Sequence, residues 1–401
     1  MAEPTIYTPV SPQLATGPGK RRARYVLNID KIEQLSPEEK SRLKEVARRY
    51  VFRANDYYLS LIDWDNPHDP IRRLVIPQER ELEDWGKLDA SNEAAVTVAP
   101  GVQHKYGTTT LLLVNEVCGA YCRYCFRKRL FMNDNDEVVN DISEGLAYIR
   151  SHPEVSNVLL TGGDPLILQT PKLERIFEQL RQIDHVKIIR LGTKMPAFNP
   201  FRFINDDSLM ELISKYSLPD RRIYFICHFD HPNELTEECF EGLARIQAAG
   251  AICVNQNPII RGISDDPEVM SELWNRLSYA GVPQYYVFQG RPTAGNEPFE
   301  VPIVESYFKI EAAKKSASGL AKRPKYVMSH DSGKIEILAV DKHSIYMKYH
   351  RAKESKDEQR FFVCERDDNA FWLDQLKPRS GYENSWYKSP DDEDDCRDDA
   401  A

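Results

Sequence analysis

The 401-residue chain lacks any apolar run approaching eighteen residues, so no transmembrane helix is expected. Its first residues, MAEPTIYTPVSPQLATGPGKRRARY, lack the apolar core of a secretory signal. Positive charge is not in excess. The 53 Lys and Arg stand against 62 Asp and Glu, a net charge of −9, which argues against a nucleic-acid scaffold while allowing a local basic patch. Cysteine is sparse, at eight residues. Cys227, Cys239, Cys253, Cys364 and Cys396 are scattered without the paired spacing of a disulfide framework, which predicts a reducing, cytoplasmic compartment. What is present is 41% hydrophobic and 29% charged residues, enough for a soluble fold with a real core. The length suits one large domain with additions, or two to three domains.

Residues 1–24 are rich in Pro, Gly and basic residues and are expected to lack fixed structure. The acidic tail, 383–401, reads as a disordered solubilising segment. An N-terminal helical extension is expected over 25–104. In it, 36–63 reads as a helix started by Ser36-Pro37, followed by the breaker-rich loop DNPHDP at 65–70. From 105 to 315, β-rich runs alternate with amphipathic runs. The strands are 109-TTLLLV-114, 156-SNVLLT-161, 186-VKIIRL-191, 222-RIYFIC-227, 251-AICVNQ-256 and 284-QYYVFQ-289. Helical patterns cover about 140–151, 171–182, 206–216, 236–249, 267–280 and 303–315. Six βα units predict an α/β fold with a parallel sheet, either doubly wound or a barrel. Polar residues and glycines collect just past each strand, the face where such folds build their sites. From 316 to 382 a small β-rich C-terminal extension is expected, with antiparallel strands at 326–329, 335–340, 344–350 and 360–365.

The remaining cysteines, Cys118, Cys122 and Cys125, fall within 118-CGAYCRYCFRKRL-130. Three thiolates on one short loop suit zinc or an iron–sulfur cluster. A closed zinc site takes four ligands, and no second CxxC pair is present. Three cysteines on a four-iron cluster leave one iron open, where a small molecule can bind and react. An ordinary cysteine-rich loop is the competing reading; the loop's place after the first strand of the βα array favours the cluster. Arg127, Lys128 and Arg129 could offset the cluster's charge or hold an anionic substrate.

This triplet, with Tyr124 before the third cysteine, resembles the radical S-adenosylmethionine (SAM) superfamily. Gly162-Gly163-Asp164 after the second strand resembles its SAM-amine motif. SLIDWDNPHDPIRR (60–73), HKYGTTTLLLV (104–114), CRYCFRKR (122–129), VLLTGGDPL (158–166), HFDHPNELT (228–236), NQNPIIRGISDD (255–266) and YYVFQ (285–289) resemble the lysine 2,3-aminomutase family over residues 50–315. The resemblance implies a partial (β/α)6 TIM-like barrel and a [4Fe-4S] cluster on Cys118, Cys122 and Cys125. It implies SAM contacts at Tyr124, Gly162, Gly163, Asp164, Thr193, His228 and Gln256. Arg127 matches an arginine that pairs with the substrate carboxylate. An electron donor such as flavodoxin or ferredoxin is implied, and a homo-oligomer is allowed. His228 and His231 could each be structural histidines instead, and for His231 both readings stand open; HxxH without further partners is weak evidence for zinc.

The family also uses pyridoxal phosphate (PLP), bound through a lysine in a glycine-rich stretch after the last barrel helix. Here the chain runs 318-SGLAKRPKYVMS-329, without that stretch. Thr109 stands where the family has a phosphate-binding arginine. These departures point to hydrogen abstraction from an amino-acid-like substrate without PLP, with Lys322 or Lys325 as substitutes if PLP is retained. Arg291, past YYVFQ, suggests a substrate with a second anionic group. A PLP-dependent aminomutase, a non-catalytic cluster-binding paralogue and modification of a lysine on a protein or RNA partner are the alternatives.

Overall fold

A computed structural model describes residues 21–132, 137–139 and 141–380. The expectations for the acidic tail and for residues 1–20 lie outside the described residues. The strands are β1 (Tyr25–Val26), β2 (Ala54–Asn55), β3 (Thr97–Ala99), β4 (Val102–Tyr106), β5 (Thr109–Asn115), β6 (Asn157–Gly162) and β7 (Ile188–Thr193). They continue with β8 (Ile223–Cys227), β9 (Ile252–Pro258), β10 (Gln284–Phe288), β11 (Lys325–His330), β12 (Gly333–Val340), β13 (Ser344–Ala352) and β14 (Phe361–Glu365).

Strands β3 to β14 form one sheet in strict chain order, and β5 to β11 run parallel. A doubly wound sheet would reverse its strand order at a switch point. None occurs here, so the doubly wound alternative falls. The sheet is open, with β3 and β14 at its edges. Helices Ser143–Ser151, Thr170–Arg181, Asp207–Tyr216, Glu237–Ala248, Pro267–Tyr279 and Ile303–Ser316 follow the parallel strands in turn. Three start on caps visible in the sequence. Asp206, Thr236 and Asp266 accept from the backbone N–H of Leu209 (3.0 Å), Cys239 (3.1 Å) and Glu268 (2.8 Å). The Thr170–Arg181 helix buries Leu173, Ile176, Phe177 and Leu180, spaced along one face. Strand residues such as Leu112, Leu160, Leu191 and Phe225 are wholly buried.

Two regions differ from expectation. The helix expected over 36–63 spans only Pro37–Arg49, started by a Ser36–Glu39 capping box. The chain then extends through β2, and Asn55 caps a second short helix, Asp56–Leu59, by accepting from Tyr58 N–H at 2.9 Å. The apolar spacing within 36–63 thus serves two helices and the extended link between them. The C-terminal strands are not purely antiparallel either. β11 pairs parallel with β10, Val287 opposite Tyr326, before the antiparallel meander β11–β14 begins. No helix among the described residues is long and apolar enough to cross a membrane.

Candidate functional site

The cysteine loop leaves the C-terminal end of β5 and is gripped from two sides. On one side stands the N-terminal region. Arg53 Nε donates to the Cys118 carbonyl at 2.7 Å, and Asn55 Nδ2 donates to the Gly119 carbonyl at 3.3 Å. The Arg123 guanidinium meets Glu81 in a buried ion pair, Nη2–Oε2 2.7 Å and Nε–Oε1 3.0 Å, and its Nη1 donates to the Tyr50 carbonyl at 3.1 Å. The other side is the end of β6. Gly162 adopts φ +105°, open to glycine and strained for other residues. A Cβ on Gly163 would lie 2.6 Å from both the N and the O of Val117. The double glycine therefore lets β6 press its backbone against the cysteine loop. Gly163→Ala is expected to lower stability by roughly 1–3 kcal/mol, the usual range for forcing atoms into a filled space. Thermal melting measures this, and a variant melting like the wild type would refute the close-approach account.

All three thiols are pushed upward, chiefly by burial. As free thiols they hold their protons, so binding a metal centre must release them. Among the described residues no three His, Cys, Asp or Glu side chains converge on a single ion. Cysteines that each bind a different iron of a cluster need no such convergence, so the three thiols remain compatible with one.

One cavity of about 430 Å³ is lined by Cys118, Cys122, Cys125, Tyr124, Arg127, Gly162, Gly163, Asp164, Thr193, His228, Gln256 and Arg291. The three cysteines, the expected SAM contacts, Arg127 and Arg291 thus reach one space at the C-terminal ends of the parallel strands, whereas Lys128 and Arg129 do not. Lys322, Lys325 and His231 do not line it. His231 Nδ1 accepts from Asn233 N–H at 3.1 Å, and burial lowers its imidazole to about 4, a neutral structural histidine.

Asp164 is engaged within the protein. It accepts from Leu166 N–H (3.0 Å), Lys194 N–H (2.8 Å) and Thr193 Oγ1 (2.9 Å), so it ties β6 to β7, and burial raises its carboxyl to about 6. Arg127 is engaged too. Its Nε and Nη2 meet Glu93 at 3.1 and 2.8 Å, and its Nη1 donates to Thr161 Oγ1 at 3.0 Å. Glu93 also receives Arg129 Nη2 at 2.7 Å and lies 3.8 Å from Arg291 Nη1. Burial alone would raise the Glu93 carboxyl; Arg127, Arg291 and Arg129 outweigh it and hold the carboxyl far below its ordinary range. Arg291 keeps a buried Nη1 without a hydrogen-bond partner and stacks 3.6 Å above the Phe126 ring.

A buried network beside the cysteine loop escaped the sequence reading. Lys194 Nζ lies 2.6 Å from both Asp230 Oδ2 and Glu234 Oε1. Tyr124 donates its hydroxyl to Asp230 Oδ2 at 2.5 Å, and that hydroxyl lies 2.8 Å from His228 Nε2. Tyr58 donates to Glu234 Oε1 at 2.6 Å. Burial would raise Asp230, but Lys194 and His228 hold it well below the carboxylate range. The network fixes Tyr124 and His228 at the cavity wall. Its acids stand four residues apart in HFDHPNE, a local signal too common to single out.

No family model matches the chain. It is 52% identical over 355 residues to an Aquifex aeolicus protein provisionally named L-lysine 2,3-aminomutase, covering 88% of this chain and 95% of the relative. It is 34% identical over 304 residues to the L-lysine 2,3-aminomutase of Acetoanaerobium sticklandii, covering 75% of this chain and 72% of the relative. It is also 34% identical over 307 residues to the glutamate 2,3-aminomutase of Clostridioides difficile, covering 76% of this chain and 71% of the relative. With identity of this depth spanning the parallel sheet and its cavity, the chain belongs to the lysine 2,3-aminomutase family and is an enzyme of aminomutase type.

Proposed function

We propose that the protein is a cytoplasmic radical SAM enzyme acting on an amino-acid substrate, with a [4Fe-4S] cluster on Cys118, Cys122 and Cys125. When bound, the cluster and SAM would supply a 5′-deoxyadenosyl radical able to remove an unactivated hydrogen, with the electron coming from a flavodoxin- or ferredoxin-like donor. The observation that carries this reading is the convergence of the three cysteines, Gly162–Asp164, Thr193, His228 and Gln256 on one cavity.

The chain's residues divide the remaining work. The wall formed by Tyr124, Thr193, His228 and Gln256 shapes the SAM side and excludes water. Arg127 and Arg291 face the substrate side. Because Glu93 already takes the Arg127 fork, Arg291, whose Nη1 makes no hydrogen bond and stands 3.8 Å from Glu93, is the guanidinium with a donor left for a substrate carboxylate. We read the six sequential parallel units as a partial barrel around this space. The missing glycine-rich segment and Thr109 support a reaction in which PLP is not held through the family's usual lysine.

The test is anaerobic cluster reconstitution with SAM and reductant, then a screen of deuterated amino acids. Deuterium should appear in 5′-deoxyadenosine for the true substrate. Arg291→Lys should raise KM by about tenfold or more, since one charge-assisted hydrogen bond is worth about 1.5–3 kcal/mol. An intact cluster that never cleaves SAM would instead identify a non-catalytic paralogue. Cleavage without label transfer from any amino acid would leave lysine modification on a macromolecule as the better reading.

A further inference from the structure

The same cavity carries a second set of side chains to which the radical chemistry assigns no task. Lys334, the second residue of β12, lies with Nζ 4.2 Å from the Tyr286 ring centre and 5.3 Å from that of Phe288. It lines the cavity together with Lys105, Arg190, Arg291 and Arg351. The largest charge effects on its ammonium come from these four cations, while the nearby carboxylates bear on its neighbours: Glu93 on Arg291 and Lys105, and Asp331 on Lys105. Arg190, on β7, has a buried Nε without a hydrogen-bond partner. Arg351, on β13, sits 5.1 Å over the Tyr106 ring, donates to Thr108 Oγ1 at 3.2 Å and has Glu358 3.9 Å away. Lys105 donates to the His330 carbonyl.

Five half-buried cations around one cavity, with fewer carboxylates beside them, make an unfavourable arrangement until a polyanion enters. A phosphate monoester is such an anion, and its oxygens suit the free guanidinium N–H of Arg190. Burial, reinforced by the surrounding cations, lowers the Lys334 ammonium to about 7, so much of it is a neutral amine near neutral pH. An amine desolvated beside other cations is the ordinary setting for a lysine that attacks carbonyls. The two lysines that the sequence offered as substitutes are unsuited. Lys322 is exposed, Lys325 pairs with Glu336 at 2.7 Å, and neither reaches the cavity.

We propose that Lys334 replaces the missing family lysine as the amine that binds pyridoxal phosphate, with Arg190, Arg351 and Lys105 receiving the phosphate. The inference rests on the aminomutase reading and deepens it. Nζ bonds to the aldehyde carbon, a carbon–nitrogen double bond replaces the carbonyl, and the oxygen leaves as water with the two amine protons. No oxidant or reductant is consumed. The chemistry that PLP supplies when bound is to hold the migrating nitrogen of the substrate.

The test uses the full-length, cluster-reconstituted protein titrated with PLP at neutral pH. Visible absorbance is followed, then borohydride reduction and peptide mass mapping. A saturable absorbance change and a single pyridoxyl label on Lys334 are expected, both weakened by inorganic phosphate. Lys334→Ala and the charge-keeping Lys334→Arg should each lose the label while melting as folded proteins. Arg190→Gln should raise the PLP concentration for half-saturation by tenfold or more. Label on Lys322, Lys325 or another residue, label surviving in the Lys334 variants, or no label in the folded wild type would each overturn the proposal. SAM cleavage is assayed separately on the same preparation. Formation of 5′-deoxyadenosine without a Lys334 label sinks this inference alone, whereas its absence sinks the reading beneath it.

Discussion

Replacing any one of Cys118, Cys122 and Cys125 by alanine is expected to leave a folded protein that retains no [4Fe-4S] cluster and forms no 5′-deoxyadenosine above background. The three thiols are the cluster's protein ligands in the proposed site, and two cannot hold a four-iron core whose fourth iron is kept for SAM. Loss of an outer partner to a metal ligand already costs roughly 10–100-fold, so loss of a ligand itself exceeds that. The fold should survive because the loop is anchored by its backbone. Arg53 holds the Cys118 carbonyl, Asn55 the Gly119 carbonyl, and the Leu74 carbonyl accepts from Arg123 N–H at 2.9 Å. Iron and sulfide content, visible absorbance and thermal melting measure the two halves separately. A variant with full cluster content, or one with no cluster but undiminished SAM cleavage, would refute the assignment.

Glu81→Ala is expected to destabilise the protein by about 3–5 kcal/mol and to strip the cluster from what remains folded. Arg123 and Glu81 side chains are 2% and 0% exposed, so removing the carboxylate strands a guanidinium out of reach of water. Arg123 stands between Cys122 and Cys125, so its displacement moves two ligands at once. Glu81→Gln keeps the shape and one acceptor and should cost less. Denaturant unfolding of the two variants, with iron content read in parallel, tests this. If Glu81→Ala unfolded like the wild type with its iron intact, the ion pair would not be what holds the loop.

Much of the architecture was legible along the chain because it is encoded locally. Alternation of apolar runs and amphipathic spacing marked six βα units, and each expected strand lies within about two residues of an observed one. The clustering of polar residues past those strands marked the face of the site, and the cysteine spacing marked its centre. Pairing between distant segments was not legible. Glu81 and Arg123 are 42 positions apart, Glu93 and Arg127 are 34, and Lys194 and Asp230 are 36. No periodicity links such residues, so their pairing leaves no mark along the chain. The parallel joining of β11 to β10 was hidden for the same reason, since a strand's run does not state its neighbour's direction.

The sequence by itself determined the βα rhythm, the loop that carries three thiols, and the family these belong to, because each is written in neighbouring residues. Only the tertiary structure decided which arginine keeps a donor free, which residues hold the cysteine loop, and which lysine faces the cavity. Lys334 shows why. In the chain it is a lysine between a turn and a strand, and only its place in the cavity wall, among four cations and two aromatic rings, makes its amine distinct from the rest.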